Sequence, residues 1–320
     1  MTKIKKINNK TINEAVELLQ KGKLIGFPTE TVYGLGADAT NQKAILKIYK
    51  NKQRPKSNPL IVHTETIEQA CSIGVFNSKI EKIAKDIWPG PLTVIVKKRE
   101  NSIIRKELCA GNDTIAIRVS SNKTILAIIK KLGNPIAAPS ANKSGMLSPT
   151  SAAHVEKQFK NNTDIPLILD GGKTKIGVES TVIGMKKNNI IIYRHGGVTK
   201  EKLEKKVNEK IIDITNADFS EKSNISPGML KKHYSPGIPV ILGKKPTNVN
   251  HAYIVFGKRF SNKTNYFNLS KKGNLKQAAA NLYKTMRKIK NLGYKKIFVV
   301  NMPNIGPGIA INDRLTRASK

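Results

Sequence analysis

Several segments of this 320-residue chain hold polar groups that a packed core has no use for. The first is Pro28-Thr29-Glu30-Thr31-Val32-Tyr33-Gly34-Leu35-Gly36, where three hydroxyls lie next to a carboxylate and two glycines permit tight turns or close backbone approach. The second is Lys50-Asn51-Lys52-Gln53-Arg54-Pro55-Lys56-Ser57-Asn58-Pro59-Leu60. Its cations either clamp a phosphate, Arg54 with forked donors and Lys52 as a point charge, or stabilise a helix dipole before a proline. His63 closes the following strand, where a lone histidine is more often structural than catalytic. The third is Pro139-Ser140-Ala141-Asn142-Lys143-Ser144-Gly145, small and polar after an apolar strand, which suits contacts to phosphate or base edges. The fourth joins Asp170-Gly171-Gly172 to Val178-Glu179-Ser180-Thr181-Val182. Each loop alone also reads as an ordinary connection.

Arg118 and Arg194 are more informative, because each sits in a strand-like context (Ala116-Ile117-Arg118-Val119 and Ile192-Tyr193-Arg194). A buried strand carries an arginine only if the charge finds a partner, and an anionic ligand is one such partner. The chain has no GxxxxGK[ST] loop, no GxGxxG fingerprint, no HExxH, and no Ser-His-Asp or paired-carboxylate pattern. This chemistry positions and neutralises anionic reactants without a protein nucleophile.

The elements that must hold these groups alternate between strand and helix. Apolar periodicity predicts strands at residues 24–27, 60–62, 92–96, 114–119, 136–138, 167–169, 181–183 and 190–193. Helices are predicted at 41–50, 78–88, 124–132, 151–159 and, highly charged, 199–209, with Pro89-Gly90-Pro91 stopping the second. Residues 213–236 lack a period and read as a linker. Strands at 239–242, 252–256 and 297–300 and helices near 275–290 and 310–318 follow. The pattern argues for an α/β layer structure with a mixed sheet, then a small doubly wound α/β domain.

Composition places this in the folded class, with 39% hydrophobic residues. Cys71 and Cys109 form no CxxC pair, and no apolar run is long enough to span a bilayer, so a cytoplasmic, membrane-free protein is expected. The net charge of +35 suggests a general attraction to polyanions. Its spread along a chain rich in Lys, Ile and Asn reads more as AT-rich codon usage than as a nucleic-acid interface.

Read together, the first three segments, Trp88-Pro89-Gly90-Pro91-Leu92-Thr93, Ala116-Ile117-Arg118-Val119 and Val178-Glu179-Ser180-Thr181-Val182 occur in the order of the YrdC-like family. Ser226-Pro227-Gly228-Met229-Leu230-Lys231-Lys232-His233-Tyr234 and Ala310-Ile311-Asn312-Asp313-Arg314-Leu315 resemble its long, two-domain form. The resemblance implies a twisted mixed open sheet with helices around a concave site over residues 1–210, a linker or lid over 211–237, and a smaller Rossmann-like domain over 238–320. It implies an L-threonylcarbamoyladenylate synthase: L-threonine and bicarbonate give a carbamate that attacks the α-phosphate of ATP, with Mg²⁺ carried by the nucleotide. A partner complex then transfers the threonylcarbamoyl group to tRNAs reading ANN codons, and weak tRNA contact is admitted.

By the same resemblance, Thr31, His63, Arg118, Ala138 and Ser180 surround threonine, while Arg54, Asn58, Thr114, Ser140, Asn142, Ser148, Arg194 and Tyr234 surround ATP. Lys52, Arg54 and Arg118 are the catalytic expectations, and Tyr234 makes the linker the lid candidate. His195 departs from the family, which commonly has proline there. Two rivals are an RNA-binding module, which leaves the small-molecule loops unexplained, and a carbamoyl transferase sharing the domain, which usually adds zinc-type cysteines or an acylphosphatase-like segment.

Overall fold

A computed structural model describes residues 1–215, 233–246, 248–260 and 263–320. The expected motif over 226–232 and most of the expected linker therefore lie outside the described residues. The larger unit is a mixed sheet running Lys3–Lys6, Leu167–Asp170, Ile25–Phe27, Gly34–Asp38, Ile136–Ala137, Ile61–His63, Thr114–Arg118, Leu92–Lys98, Thr181–Lys186, Asn189–Arg194 and Ile212–Asp213, with Gly74–Val75 on the side of Leu92–Lys98. Ile212–Asp213, at the start of the expected linker, pairs in parallel with Asn189–Arg194 and closes that edge of the sheet.

Alternation along the strands sorts the two faces. Helices Asn9–Gln20 and Lys123–Leu132 bury Ile12, Val16, Leu19, Ile125 and Ile129 against Ile25, Phe27 and Leu169. On the other side, Gln42–Lys52 and Ser78–Ile87 bury Ile45, Ile48, Ile80 and Ile83 with Val62, Val94 and Ile117. Residues of opposite parity, Ile61, Ile95, Ala116 and Val182, meet Tyr193 on the remaining face. His63 and Arg118 follow Ile61 and Ala116 by two residues and pair directly across the ladder, so both share that face.

The segment Gly34–Asp38, expected as part of a loop, is a buried strand antiparallel to Ile25–Phe27. Its glycines serve packing: a Cβ at Gly34 would meet the Phe27 ring at 2.8 Å, and one at Gly36 would meet it at 2.6 Å. The second domain is a parallel sheet of Val240–Leu242, Lys296–Val299, His251–Val255 and Tyr266–Asn268 with helices Leu275–Asn291 and Pro307–Ala318. Its core is not separate. Leu282, Tyr283 and Ile311 pack in one cluster with Val32, Leu147 and Val178 of the first domain and with Tyr234. Among the described residues no helix is long and apolar enough to cross a membrane.

Candidate functional site

One cavity collects much of the expected chemistry. Its wall contains Thr31, Arg54, His63, Arg118, Ala138, Ser140, Ser180, Arg194 and Tyr234. It also contains Tyr33, Glu179 and His233, which had been given no role. About 50 Å³ of free space lies inside, room for a few waters and far below the several hundred Å³ typical of small-molecule sites. His233 and Tyr234 form part of its wall.

Arg118 ends its strand with Nη2 2.6 Å from Glu30 Oε1 and Nη1 3.1 Å from Thr31 Oγ1. Burial alone would raise the Glu30 carboxyl, but the adjacent guanidinium and the Ser120 hydroxyl overcome it and hold the pKa below its ordinary value. Thr31 Oγ1 also lies 2.8 Å from Thr29 Oγ1. His63 is buried with Nδ1 lacking any hydrogen-bond partner. Burial, reinforced by Arg118, pushes its pKa down to about 3, so the imidazole is neutral at physiological pH. An orphaned buried ring nitrogen on a cavity wall has hydrogen-bonding capacity that a water or a ligand would satisfy.

Opposite them, Arg194 Nη2 donates to Ser180 O at 2.9 Å and Ser180 Oγ at 3.1 Å, and that hydroxyl pairs with Thr93 Oγ1 at 2.7 Å. Arg194 reaches the cavity through a β-bulge. Val182 pairs with Arg194 but Ile183 with Ile192, so the extra residue turns Tyr193 and Arg194 to one face. Arg54 donates through Nε to Asn58 O at 3.1 Å, through Nη2 to Pro59 O at 2.6 Å, and also to Asn58 Oδ1. Burial pulls its pKa down to about 10, still a cation at neutral pH.

Five expected residues lie off the wall. Lys52 is buried behind the third segment, its Nζ donating to the carbonyl oxygens of Ser140, at 2.5 Å, and Asn142. In this position it shapes the Ser140 loop and does not itself line the cavity. Burial, with like-charge repulsion from Arg54 and Lys143, drives its pKa well below the usual lysine value. Asn58 orients Arg54 as above. Asn142 ties its loop by donating to Lys143 O at 2.7 Å and Met146 O at 2.8 Å. Ser148 donates to Glu179 Oε1 at 2.5 Å. Thr114 begins the strand that Arg118 ends, and it lines a separate depression with Phe76, Ile95 and Ile214. The structure does not bring it to this cavity.

Glu179 is one of the wall residues without an expected role, although it stands inside the fourth segment. It accepts from Ser148, from Tyr283 Oη and from Arg314 Nε, the last two belonging to the second domain. Burial would raise its pKa, but Arg314 and Arg194 bring it down to about 2. The Asp170-Gly171-Gly172 turn is a buttress: Tyr33 Oη donates to Gly172 O at 2.7 Å and accepts from Gly171 N at 3.1 Å.

Residues 17–196 match the family model described as Telomere recombination, that of the Sua5, YciO and YrdC proteins, and residues 198–320 match that of the threonylcarbamoyl-AMP synthase C-terminal domain. The threonylcarbamoyl-AMP synthase of Bacillus subtilis is 37% identical, with 98% of this chain and 94% of that one covered. The one from Pyrococcus abyssi is 36% identical, with 96% and 94% covered. The crystal structure of P. abyssi Sua5 complexed with L-threonine matches with a TM-score of 0.90 at 35% identity, covering 99% of this chain and 98% of that one.

Proposed function

This chain belongs to the Sua5/YrdC family in its two-domain, threonylcarbamoyl-AMP synthase form, and from that premise we propose that it is a nucleotidyltransferase making L-threonylcarbamoyladenylate from L-threonine, bicarbonate and ATP. A carbamate oxygen attacks the α-phosphorus, the bond to the bridging oxygen breaks, and pyrophosphate leaves. The carrying observation is one cavity holding Arg54, Arg118 and Arg194 in its wall beside the unpartnered nitrogen of His63. Both reactants are anions, so fixed guanidinium groups offset their repulsion and the charge that develops on the leaving phosphate.

In this reading the Thr31, His63, Arg118, Ala138 and Ser180 side takes threonine and its carbamate. Arg54, Ser140, Arg194 and Tyr234 take the nucleotide, with Asn58, Asn142, Ser148 and Lys52 supporting them. Exclusion of water by the 233–234 segment protects a labile carbamate and a mixed anhydride. Among the described residues no group of three His, Cys, Asp or Glu could hold a metal, and the wall carboxylate Glu179 is engaged by Arg314. Mg²⁺ would therefore enter on the phosphates, its common mode of binding, and neutralise charge there. The product's reactive anhydride calls for an acceptor downstream, a complex that transfers the threonylcarbamoyl group to tRNA.

Purified protein is expected to release pyrophosphate from ATP only when threonine and bicarbonate are both present. Arg118→Ala should lower kcat/KM by at least about a hundredfold, the scale of losing one preorganised charged donor. RNA binding without that release would refute the enzyme reading, and an unimpaired Arg118→Ala would refute the site.

A further inference from the structure

Arg314 is the largest side chain fully buried in the described structure, and the roles above leave it unused except as a partner of Glu179. It projects from Pro307–Ala318 in the second domain, yet it serves the first. Nε donates to Glu179 Oε2 at 2.8 Å, Nη2 to the carbonyl oxygen of His195 at 2.9 Å, and Nη1 to Asp313. Its guanidinium carbon lies 4.9 Å from the centroid of the Tyr234 ring. On the same ring, Tyr283 stacks at 5.8 Å and 21° while donating to both oxygens of Glu179 at 3.1 Å.

Tyr234 needs this support. Its φ of 64° is left-handed, a conformation that costs a non-glycine residue and persists only where its surroundings enforce it. The backbone is pinned on either side. His233 N donates to Arg317 O of the second domain at 3.3 Å, and Ser235 N donates to Gly145 O at 2.7 Å and Ser235 O accepts from Leu147 N at 3.2 Å. Arg287 of the second domain holds the same loop by donating to Leu147 O at 2.6 Å.

We propose that Arg314 is a positioning residue of the active site: gripping Glu179 and the face of Tyr234, it holds the 233–234 segment as the wall on which the nucleotide binds. The second domain thus completes the ATP subsite without touching the reacting atoms. The inference rests on the reading above, in which Tyr234 faces the nucleotide. Lysine could not replace Arg314, because it lacks the flat face for the ring and the fork that serves Glu179, His195 and Asp313 together.

The test is steady-state kinetics on the full chain carrying Arg314→Lys or Tyr283→Phe, alongside thermal melting. A wall that contacts the nucleotide equally before and during reaction contributes uniform binding. Arg314→Lys should then raise KM for ATP about tenfold, with kcat within about twofold and KM for threonine unchanged. Tyr283→Phe deletes one hydroxyl and should move KM for ATP in the same direction by about threefold. A purely structural residue would instead lower the active fraction, so that kcat and the melting temperature fall while KM for ATP stays put; that result overturns the proposal. If Arg314→Lys does not fold, Tyr283→Phe decides, and an unchanged KM for ATP there is equally fatal. Wild-type protein with no threonine-dependent pyrophosphate release would sink the parent reading and this one with it.

Discussion

Charge at the single residue is balanced in pairs that each place one member in the cavity wall. Glu30 answers Arg118 within the first domain, and Glu179 answers Arg314 across the domain boundary. Since the Glu179 pKa falls from its ordinary 4.5 to about 2 on folding, the unfolded chain binds its proton first. The pair's contribution is fully present above about pH 4.5 and is lost as pH falls toward 2, on the order of 3 kcal/mol in all. Glu179→Gln should therefore be much less stable than wild type at pH 7, because it leaves Arg314 buried without its anion. Urea titrations across pH should show that gap closing between about pH 4.5 and 2; a gap independent of pH would remove Glu179 as the titrating group. Arg118 was legible because an arginine in a buried strand demands an anion. Glu179 was visible in its motif but its role was not, since the groups that hold it, Tyr283 and Arg314, come from helices more than a hundred residues away.

At the scale of elements, most strands and helices showed in the period of apolar residues, and the failures have identifiable causes. Gly34–Asp38 looked like a loop because the glycines that admit the Phe27 ring are also the residues that turns favour. Lys3–Lys6 escaped because three lysines on an edge strand show no apolar alternation. The bulge that aims Arg194 has no signature in the sequence. The element that sets Lys52 and Arg54 was readable, but not its cap: Gln42–Lys52 ends on Gln53 at φ 52°, left-handed and non-glycine. Gln53 is exposed, so its side chain has little to lose. Gln53→Gly should stabilise the fold by about 0.5 kcal/mol, relief of left-handed strain outweighing the added chain entropy. Gln53→Val should cost about 1–2 kcal/mol at the same position. Melting curves check both, and activity should survive the glycine; a destabilised Gln53→Gly would mean the turn is held by contacts of the glutamine itself.

The whole molecule is arranged so that the second domain docks beside the loop that carries Glu30 and Thr31. Ile176 N and Gly177 N donate to Glu30 O at 3.0 Å and Thr31 O at 3.1 Å. The opposite side of Gly177 meets helix Leu275–Asn291, where a Cβ would lie 2.5 Å from the Ala280 Cα and 2.8 Å from the Ala279 carbonyl oxygen. Its φ of 80° already excludes most side chains. No flexible side chain can yield there, so one methyl group must separate backbone from backbone. Because Val32, Leu147, Val178 and Tyr234 share a core with the second domain, wild type should unfold in one cooperative transition. Gly177→Ala should cost about 2–4 kcal/mol from overlap and left-handed strain together, split the transition in two, and raise KM for ATP as Arg314→Lys does. Calorimetry beside kinetics reads all three effects. A Gly177→Ala chain that still melts in one step at the wild-type temperature would show that the domains do not depend on this contact, and the contacts of Arg287, Arg314 and Tyr283 with the first domain would then have to suffice to hold the cavity wall.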